Sequence, residues 1–341
     1  MESVGIEVVR IPPEKWWPLH KAASVESDII HLDWPHDWYT GKNFLTQAIK
    51  TKMYLEGLRR LEKRCVVWTA HNLAAHDAKR PGHDHKMMQS LIEQCDGIMV
   101  MSESAKTSLK QTYKMPKNVN IKKVFHGHYI DCYPNQTSRN ESRKRLSIPS
   151  GSFVYLIPGA IKPYKGHLNA IKAFASTSTK GDILLIAGGG PQAFINHLKS
   201  EIKNQFGYAK GSIIIKPGFI NDDEFQFFFN AADVTVLPFT NVLNSGSLLL
   251  SMSFGSPIIA PRMGSIPEIA FERYFFGYEC PNPTSTIYNL QMAMAKAKVE
   301  IGDTTDKEII AAEIVNFTKS SYAWETAALE LRKWYKKIAS A

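Results

Sequence analysis

Cysteine is scarce in this chain and never paired. The four thiols, Cys65, Cys95, Cys132 and Cys280, lie far apart and form no CxxC spacing. That spacing supports neither a zinc site nor a disulfide framework, and a reducing cytoplasm is the natural compartment. Long hydrophobic runs are also missing. No stretch of about eighteen uncharged apolar residues is there to span a membrane. The opening MESVGIEVVRIPPEKWW has acidic residues and no apolar core of the signal-peptide kind. Solenoid-period repeats and low-complexity segments are absent. So are zinc-finger spacing, RNP-type aromatic motifs and arginine-rich tails, which argues against a nucleic-acid partner.

What the chain does contain is ordinary globular material. Its 341 residues, 44% hydrophobic and 21% charged, suffice for two domains. Acid is in shorter supply than base: 41 Lys and Arg against 32 Asp and Glu leave a net charge of +9. Such a balance suits anionic company, either nucleotide phosphates or an anionic membrane face.

Along the chain, apolar strand patterns alternate with helical ones. Strands are expected at Val4–Ile11, Asp28–Leu32, Cys65–Ala70, Asp96–Met101 and Lys123–Phe125. The aromatic stretch from Asp33 to Tyr39 reads as a loop at a strand end. Between Phe44 and Arg64 a helical stripe of Phe44, Leu45, Ala48, Ile49, Met53, Leu58 and Leu61 is flanked by Lys50, Lys52, Arg59, Arg60, Lys63 and Arg64. Such a helix is either a solvated surface element or a basic amphipathic face resting on anionic lipid. Residues 135–150 are polar and read as an interdomain linker with a short helix. The pattern then restarts, with strands at Ser152–Pro158, Ile183–Ala187, Ser212–Lys216, Asp233–Leu237 and Ile258–Ala260. This rhythm predicts α/β architecture with parallel, doubly wound sheets and right-handed crossovers. The expected domains are 1–148 and 149–319. A last helix over 320–341 packs either back on the first domain or on its own.

Ligand-facing groups in such sheets lie beyond the carboxyl ends of strands. Two places stand out. After the strand ending at Ala70, His71, Asn72, His76 and Asp77 fall within seven residues, and a second histidine cluster, His126-Gly127-His128-Tyr129, follows Phe125. In the other half, the turn Asn244-Ser245-Gly246-Ser247 feeds the apolar helix from Leu248. Unpaired N–H groups and the positive end of the helix dipole suit that turn to an anion, and the same pattern equally fits an ordinary buried helix of an α/β domain.

The ordered set of motifs is more specific than any one of them. Gly159-x-Ile-Lys162-Pro-Tyr-Lys165-Gly166, Gly188-Gly189-Gly-Pro191, Pro217-Gly-Phe219-Ile220 and Ala231-Ala-Asp233-Val-x-Val-Leu-Pro238 are followed by Ser245-Gly246-Ser247, Phe254-Gly-Ser-Pro257 and Gly264-Ser-Ile-Pro-Glu268. Upstream stand Thr69-Ala-His71-Asn72, Asp96-Gly-Ile-x-Val-x-Ser102 and His126-Gly127. The series resembles GT-B fold glycosyltransferases, in particular glycosyltransferase family 4 and related bacterial mannosyltransferases, over essentially the whole chain.

That resemblance implies two Rossmann-like domains facing across a cleft. It also implies transfer of a hexose from a GDP- or UDP-sugar to a saccharide or lipid-linked acceptor, without a metal or other cofactor. A cytoplasmic enzyme agrees with the unpaired thiols, and peripheral attachment at the inner membrane face is a separate expectation from the basic helix 44–64, with a solvated helix face as its alternative. Lys162 and Lys165 would neutralise the diphosphate, and Ser245, Gly246 and Ser247 would hold it through backbone N–H groups. Phe219 and Ile220 would flank the nucleobase. Gly159, Gly189, Glu268, His126 and Gly127 fall at the family's binding motifs. His71 and Asn72 would contact the sugar or the acceptor, with His76 or Asp77 as general base.

Three departures accompany the match. Val242 and Leu250 occupy the places of the family's two glutamates, Ala160 that of its usual arginine, and the chain begins beyond the family's first strand–loop–helix. A sugar-nucleotide epimerase of the same architecture and a non-catalytic nucleotide- or partner-binding protein are the alternatives.

Overall fold

The computed structural model describes residues 1–11, 17–74, 80–205, 211–302 and 306–340. The chain forms two compact units, one of residues 1–126 together with the C-terminal segment from Trp324, the other of Gly127–Ala323. In the first unit β1 (Ile29–Leu32), β2 (Cys65–Thr69), β3 (Gly97–Val100) and β4 (Asn120–Lys123) pair in chain order, all parallel. Helices Phe44–Arg60, Pro81–Ile92 and Glu103–Thr112 make the crossovers. Ser102 caps the last of these, accepting from Ala105 N at 3.0 Å. Val66, Val67, Leu91, Ile92, Ile98 and Leu109 are fully buried, as a parallel sheet covered by helices requires.

The final helix, Trp324–Ala339, completes this unit. The Trp334 indole donates to Asn120 Oδ1 at 2.8 Å, and its ring lies where a side chain on Gly97 would be, 2.8 Å from an added Cβ. The break before it falls at Tyr322 and Ala323, whereas the pattern predicts one helix from Ser320. Tyr322 stays with the second unit, donating its hydroxyl to Ile269 O at 3.0 Å.

The second unit has β5 (Val154–Pro158), β6 (Ile183–Gly188), β7 (Ser212–Pro217), β8 (Val234–Val236), β9 (Ile258–Pro261) and β10 (Phe275–Tyr278), all parallel, in the order β10-β9-β8-β5-β6-β7. The chain winds outward from β5 to β7, then returns to the other side of β5 with β8. The crevice beyond the carboxyl ends of β5 and β8 is therefore the topological switch point.

Several expectations change. Val4–Ile11 forms no strand: a short 3-10 turn spans Glu2–Val4, and Val8 and Val9 are exposed. The aromatic loop after β1 contains a one-turn helix, His36–Tyr39, because the fully buried Tyr39 donates to Asp84 Oδ1 at 2.5 Å. Residues 135–150 are no linker. Helix Arg139–Leu146, with its Ser138–Glu141 capping box, belongs to the second unit. Arg139 and Arg143 bond the Asp233 carboxylate at 2.5 and 3.0 Å, and that carboxylate also accepts from Val154 N. The domain break thus falls at residue 126, where spacing alone suggests 148.

Candidate active site

The loops after β5 and β8 meet at the switch point. Gly159 leaves β5 with φ +95°, and Ile161 N donates to Gly189 O at 2.7 Å, so the glycine turns after β5 and β6 lie against each other. Gly189 in turn lies close to Gly218, its added Cβ 3.5 Å from that carbonyl oxygen. A short turn, Pro163–Lys165, ends at Gly166 with φ +72°. An added Cβ there would sit 1.7 Å from Pro238 O, so only glycine admits this approach of the two loops. Thr240 N donates to Tyr164 O at 3.0 Å and fastens them again.

Lys165 crosses this junction. Its ammonium donates to Ser247 Oγ at 3.1 Å and sits 4.6 Å from the centre of the Phe239 ring. Burial, with the neighbouring Lys162 charge, pushes its pKa down to about 8. Behind the lysines, His167 is buried at the start of helix His167–Thr177. Burial pushes its pKa down to about 4, against a Lys162 backbone hydrogen bond that raises it, so the ring is neutral near pH 7. The cationic groups of this loop are therefore lysines.

The helix Gly246–Ser253 begins beside Lys165. Ser245 caps it, accepting from Leu248 N at 3.2 Å, and Gly246 follows directly. The Tyr129 hydroxyl lies over this first turn, 3.1 Å from where a Cβ on Gly246 would be. At the far end Gly255 has φ +73°, and Ser256 N donates back to Ser251 O at 3.0 Å, a Schellman closure. The first-turn N–H groups, the dipole and the Lys165 ammonium share one point, so the geometry favours a phosphate group there.

The other predicted donor-side residues divide. Phe219 is 85% exposed after β7, while Ile220 joins Phe228 and Phe229 in the core and offers no ligand surface. Glu268 is exposed on the short helix Ile266–Ile269 after β9. Val242 is buried, and its carbonyl closes on Gly264, whose added Cβ would be 2.2 Å away. Leu250 packs on the core cluster with Tyr133. Neither position can act as a carboxylate would.

In the first unit, β1 and β2 are neighbours in register, Leu32 opposite Trp68. Their carboxyl ends bring Asp33-Trp34 beside His71-Asn72. His71 Nε2 donates to Asp33 Oδ1 at 3.2 Å, and the Trp34 ring stacks on His71 at 4.3 Å with 5° between planes. The hydrogen bond from His71 holds the Asp33 carboxyl below its ordinary range despite partial burial, and Thr69 adds a further bond. Beneath them His31 bonds Thr69 Oγ1 at 2.5 Å and the Tyr335 hydroxyl; burial pushes its pKa down.

Of the histidine and carboxylate candidates, His76 and Asp77 lie outside the described residues, and Asn72 is half-buried beside His71. His126 follows β4 with its ring 5.3 Å from that of Trp324, and Gly127 is buried as the first residue of the second unit. Sequence inspection finds the aromatic strand-end loop but misses Asp33 and Trp34 as site residues. The available signal was their position, just past β1 as His71 is just past β2. Among the described residues no three His, Cys, Asp or Glu side chains group to hold a metal ion.

The sequence and the fold are similar to those of known proteins. Residues 152–282 match a family model described as glycosyl transferases group 1. The lipopolysaccharide 1,2-N-acetylglucosaminetransferase of Salmonella typhimurium is 25% identical over 76% of this chain and 68% of its own length. The GDP-mannose:glycolipid 4-beta-D-mannosyltransferase of Xanthomonas campestris pv. campestris is 24% identical over 76% and 68%. Another of the relatives, a D-inositol 3-phosphate glycosyltransferase of Corynebacterium glutamicum, is 26% identical over 62% of the chain but only 53% of its own length. The chain thus spans about half to two thirds of these curated relatives. Among solved structures, Anabaena Alr3699/HepE in complex with UDP and glucose superposes with a TM-score of 0.69, at 14% identity, over 94% of this chain and 80% of that one. WaaG, a glycosyltransferase involved in lipopolysaccharide biosynthesis, gives 0.64 at 15% over 89% and 85%.

Proposed function

We propose that the chain is a GT-B glycosyltransferase of the family 4-like kind and that it moves a hexose from a UDP- or GDP-sugar to a saccharide or lipid-linked saccharide in glycoconjugate synthesis. The observation that carries this is the Lys165–Ser247 contact at the first turn of helix Gly246–Ser253, at the switch point between β5 and β8. Transfer forms a bond from the acceptor oxygen to the anomeric carbon and breaks the bond from that carbon to the diphosphate. The diphosphate leaves with added negative charge. Lys162 and Lys165, the N–H groups from Gly246 onward and Ser247 stabilise that charge, a role metal ions fill elsewhere. The exposed Phe219 gives the nucleobase a stacking surface. His71 and Asn72 act on the acceptor side, with His76 and Asp77 as candidates to take the hydroxyl proton.

A thermal-shift screen with UDP-glucose, UDP-N-acetylglucosamine and GDP-mannose tests the donor site. One of them should raise Tm, since ligand bound only by the folded state stabilises it by mass action, and Lys165→Ala should remove the shift. No shift with any donor at millimolar concentration would sink the proposal. A shift without transfer would leave a nucleotide-binding protein.

The acceptor's surroundings form a finer part of the proposal. No helix among the described residues is long and apolar enough to cross a membrane. Helix Phe44–Arg60 buries Gln47, Tyr54 and Leu58 and leaves Phe44 (76% exposed), Leu45 and Ile49 in water beside Lys52 and Arg59. Of these, Phe44 lines a groove of about 600 Å³ together with Lys52, Arg59 and Arg80. Apolar tips with a basic rim suit the surface of an anionic bilayer. The protein should sediment with phosphatidylglycerol-containing vesicles and not with neutral ones, and Phe44→Asp should weaken that binding several-fold. Equal binding to both vesicle types would refute it.

A further inference from the structure

The stack at the end of β1 has a use that donor binding does not require. Trp34 is 55% exposed although its ring lies flat on His71 at 4.3 Å. The imidazole thus orients one face of the indole, while more than half of the side chain stays open to solvent. Beside it the Asp33 carboxylate is 60% exposed, and the His71 hydrogen bond keeps it ionised. The supports come from paired strands: β1 and β2 run in register, and the Asp33 carboxylate is held by the His71 ring 3.2 Å away.

We propose that Trp34 and Asp33 form a pyranose subsite for the acceptor saccharide, the C–H face of the sugar lying on the indole and its hydroxyls donating to the carboxylate. The inference rests on the glycosyltransferase function proposed above. The chemistry selects among ligands. An ionised carboxylate beside the ring repels phosphate, which excludes the diphosphate of the donor. A fixed acceptor next to an aliphatic chain would lose its hydration without replacement, which disfavours a lipid tail. A neutral, polyhydroxylated ring satisfies both surfaces. The pair stands at fixed strand ends, so little ordering accompanies binding.

Saturation-transfer NMR on the full chain, with methyl β-D-glucopyranoside and methyl α-D-mannopyranoside as probes, reads this directly. In the wild type the β-glucoside should take up saturation most strongly at H1, H3 and H5, which share one face. Trp34→Ala should cut that signal at least fivefold and Trp34→Phe should keep most of it. Asp33→Asn should raise the apparent Kd several-fold while leaving the same protons in contact. Trp34→Leu covers His71 without a π face and should lose the signal as Trp34→Ala does, which also serves if the alanine variant unfolds. Thermal shifts with UDP-glucose and GDP-mannose should be unchanged by Trp34→Ala. Equal saturation in wild type and Trp34→Leu, or none with either glycoside in the wild type, overturns the subsite while a donor shift persists. Absence of any donor shift in the wild type instead refutes the function on which the subsite rests.

Discussion

At the scale of single residues, Lys165 has the most consequential environment. Its pKa of about 8 arises from burial and the Lys162 charge, so near pH 7 it is mostly an ammonium and above pH 8 mostly neutral. Only the ammonium attracts a diphosphate. Donor affinity should therefore be full below about pH 7.5 and fall as pH rises through 8 to 9.5, with proton uptake on binding in that window. Isothermal titration across that range checks this, and Lys165→Ala should give weaker binding, by roughly tenfold or more, without the pH slope. A slope that persists in the variant would place the titrating group elsewhere. The residue is legible in the sequence because Lys162 and Lys165 sit in a glycine-bounded loop after a strand. What was not legible is its partner, since Ser247 is 82 positions away along the chain.

Elements set how closely the two switch-point loops approach. Gly166 combines φ +72° with a backbone oxygen 1.7 Å from its missing Cβ. Gly166→Ala adds about 1–2 kcal/mol for the left-handed conformation and forces Pro238 to move. We expect at least about 2 kcal/mol of lost stability by urea denaturation, together with loss of the donor-dependent thermal shift. A variant as stable as the wild type, still binding donor, would show that the loops do not need this contact. Helix Phe44–Arg60 teaches the opposite lesson about patterns. Its apolar positions form a single stripe in the sequence, yet Phe44, Leu45 and Ile49 are exposed while Leu58 and Leu61 are buried, and the polar Gln47 is buried too, donating to Tyr39 O at 2.8 Å. Periodicity marks a helix face but does not say which neighbour covers it.

On the scale of the whole molecule, the C-terminal helix finishes a unit begun more than two hundred residues earlier. Trp334 is 4% exposed, against Gly97 and bonded to Asn120. Trp334→Ala should destabilise the first unit by about 3–5 kcal/mol, as large-to-small changes in cores do, with Trp334→Phe milder. Chemical denaturation followed by circular dichroism measures it, and a loss below about 1 kcal/mol would mean the helix is only an appendage.

The sequence by itself determined the local matters: strands alternating with helices, glycine turns at strand ends, the capped helix Gly246–Ser253 and the lysine loop. These follow from propensity, spacing and backbone chemistry within a few residues, and they sufficed to point to a parallel α/β protein and to the turn proposed above as a diphosphate site. Only the tertiary structure decided that β5 lies between β6 and β8 and that Asp33 and Trp34 meet His71. It also decided that Ile220 turns into the core, that Leu250 packs partly buried against it, and that residues 127–148 belong with the second unit. Strand order and side-chain neighbours depend on pairings between distant segments, and no local pattern records which partner a strand or a helix face will take.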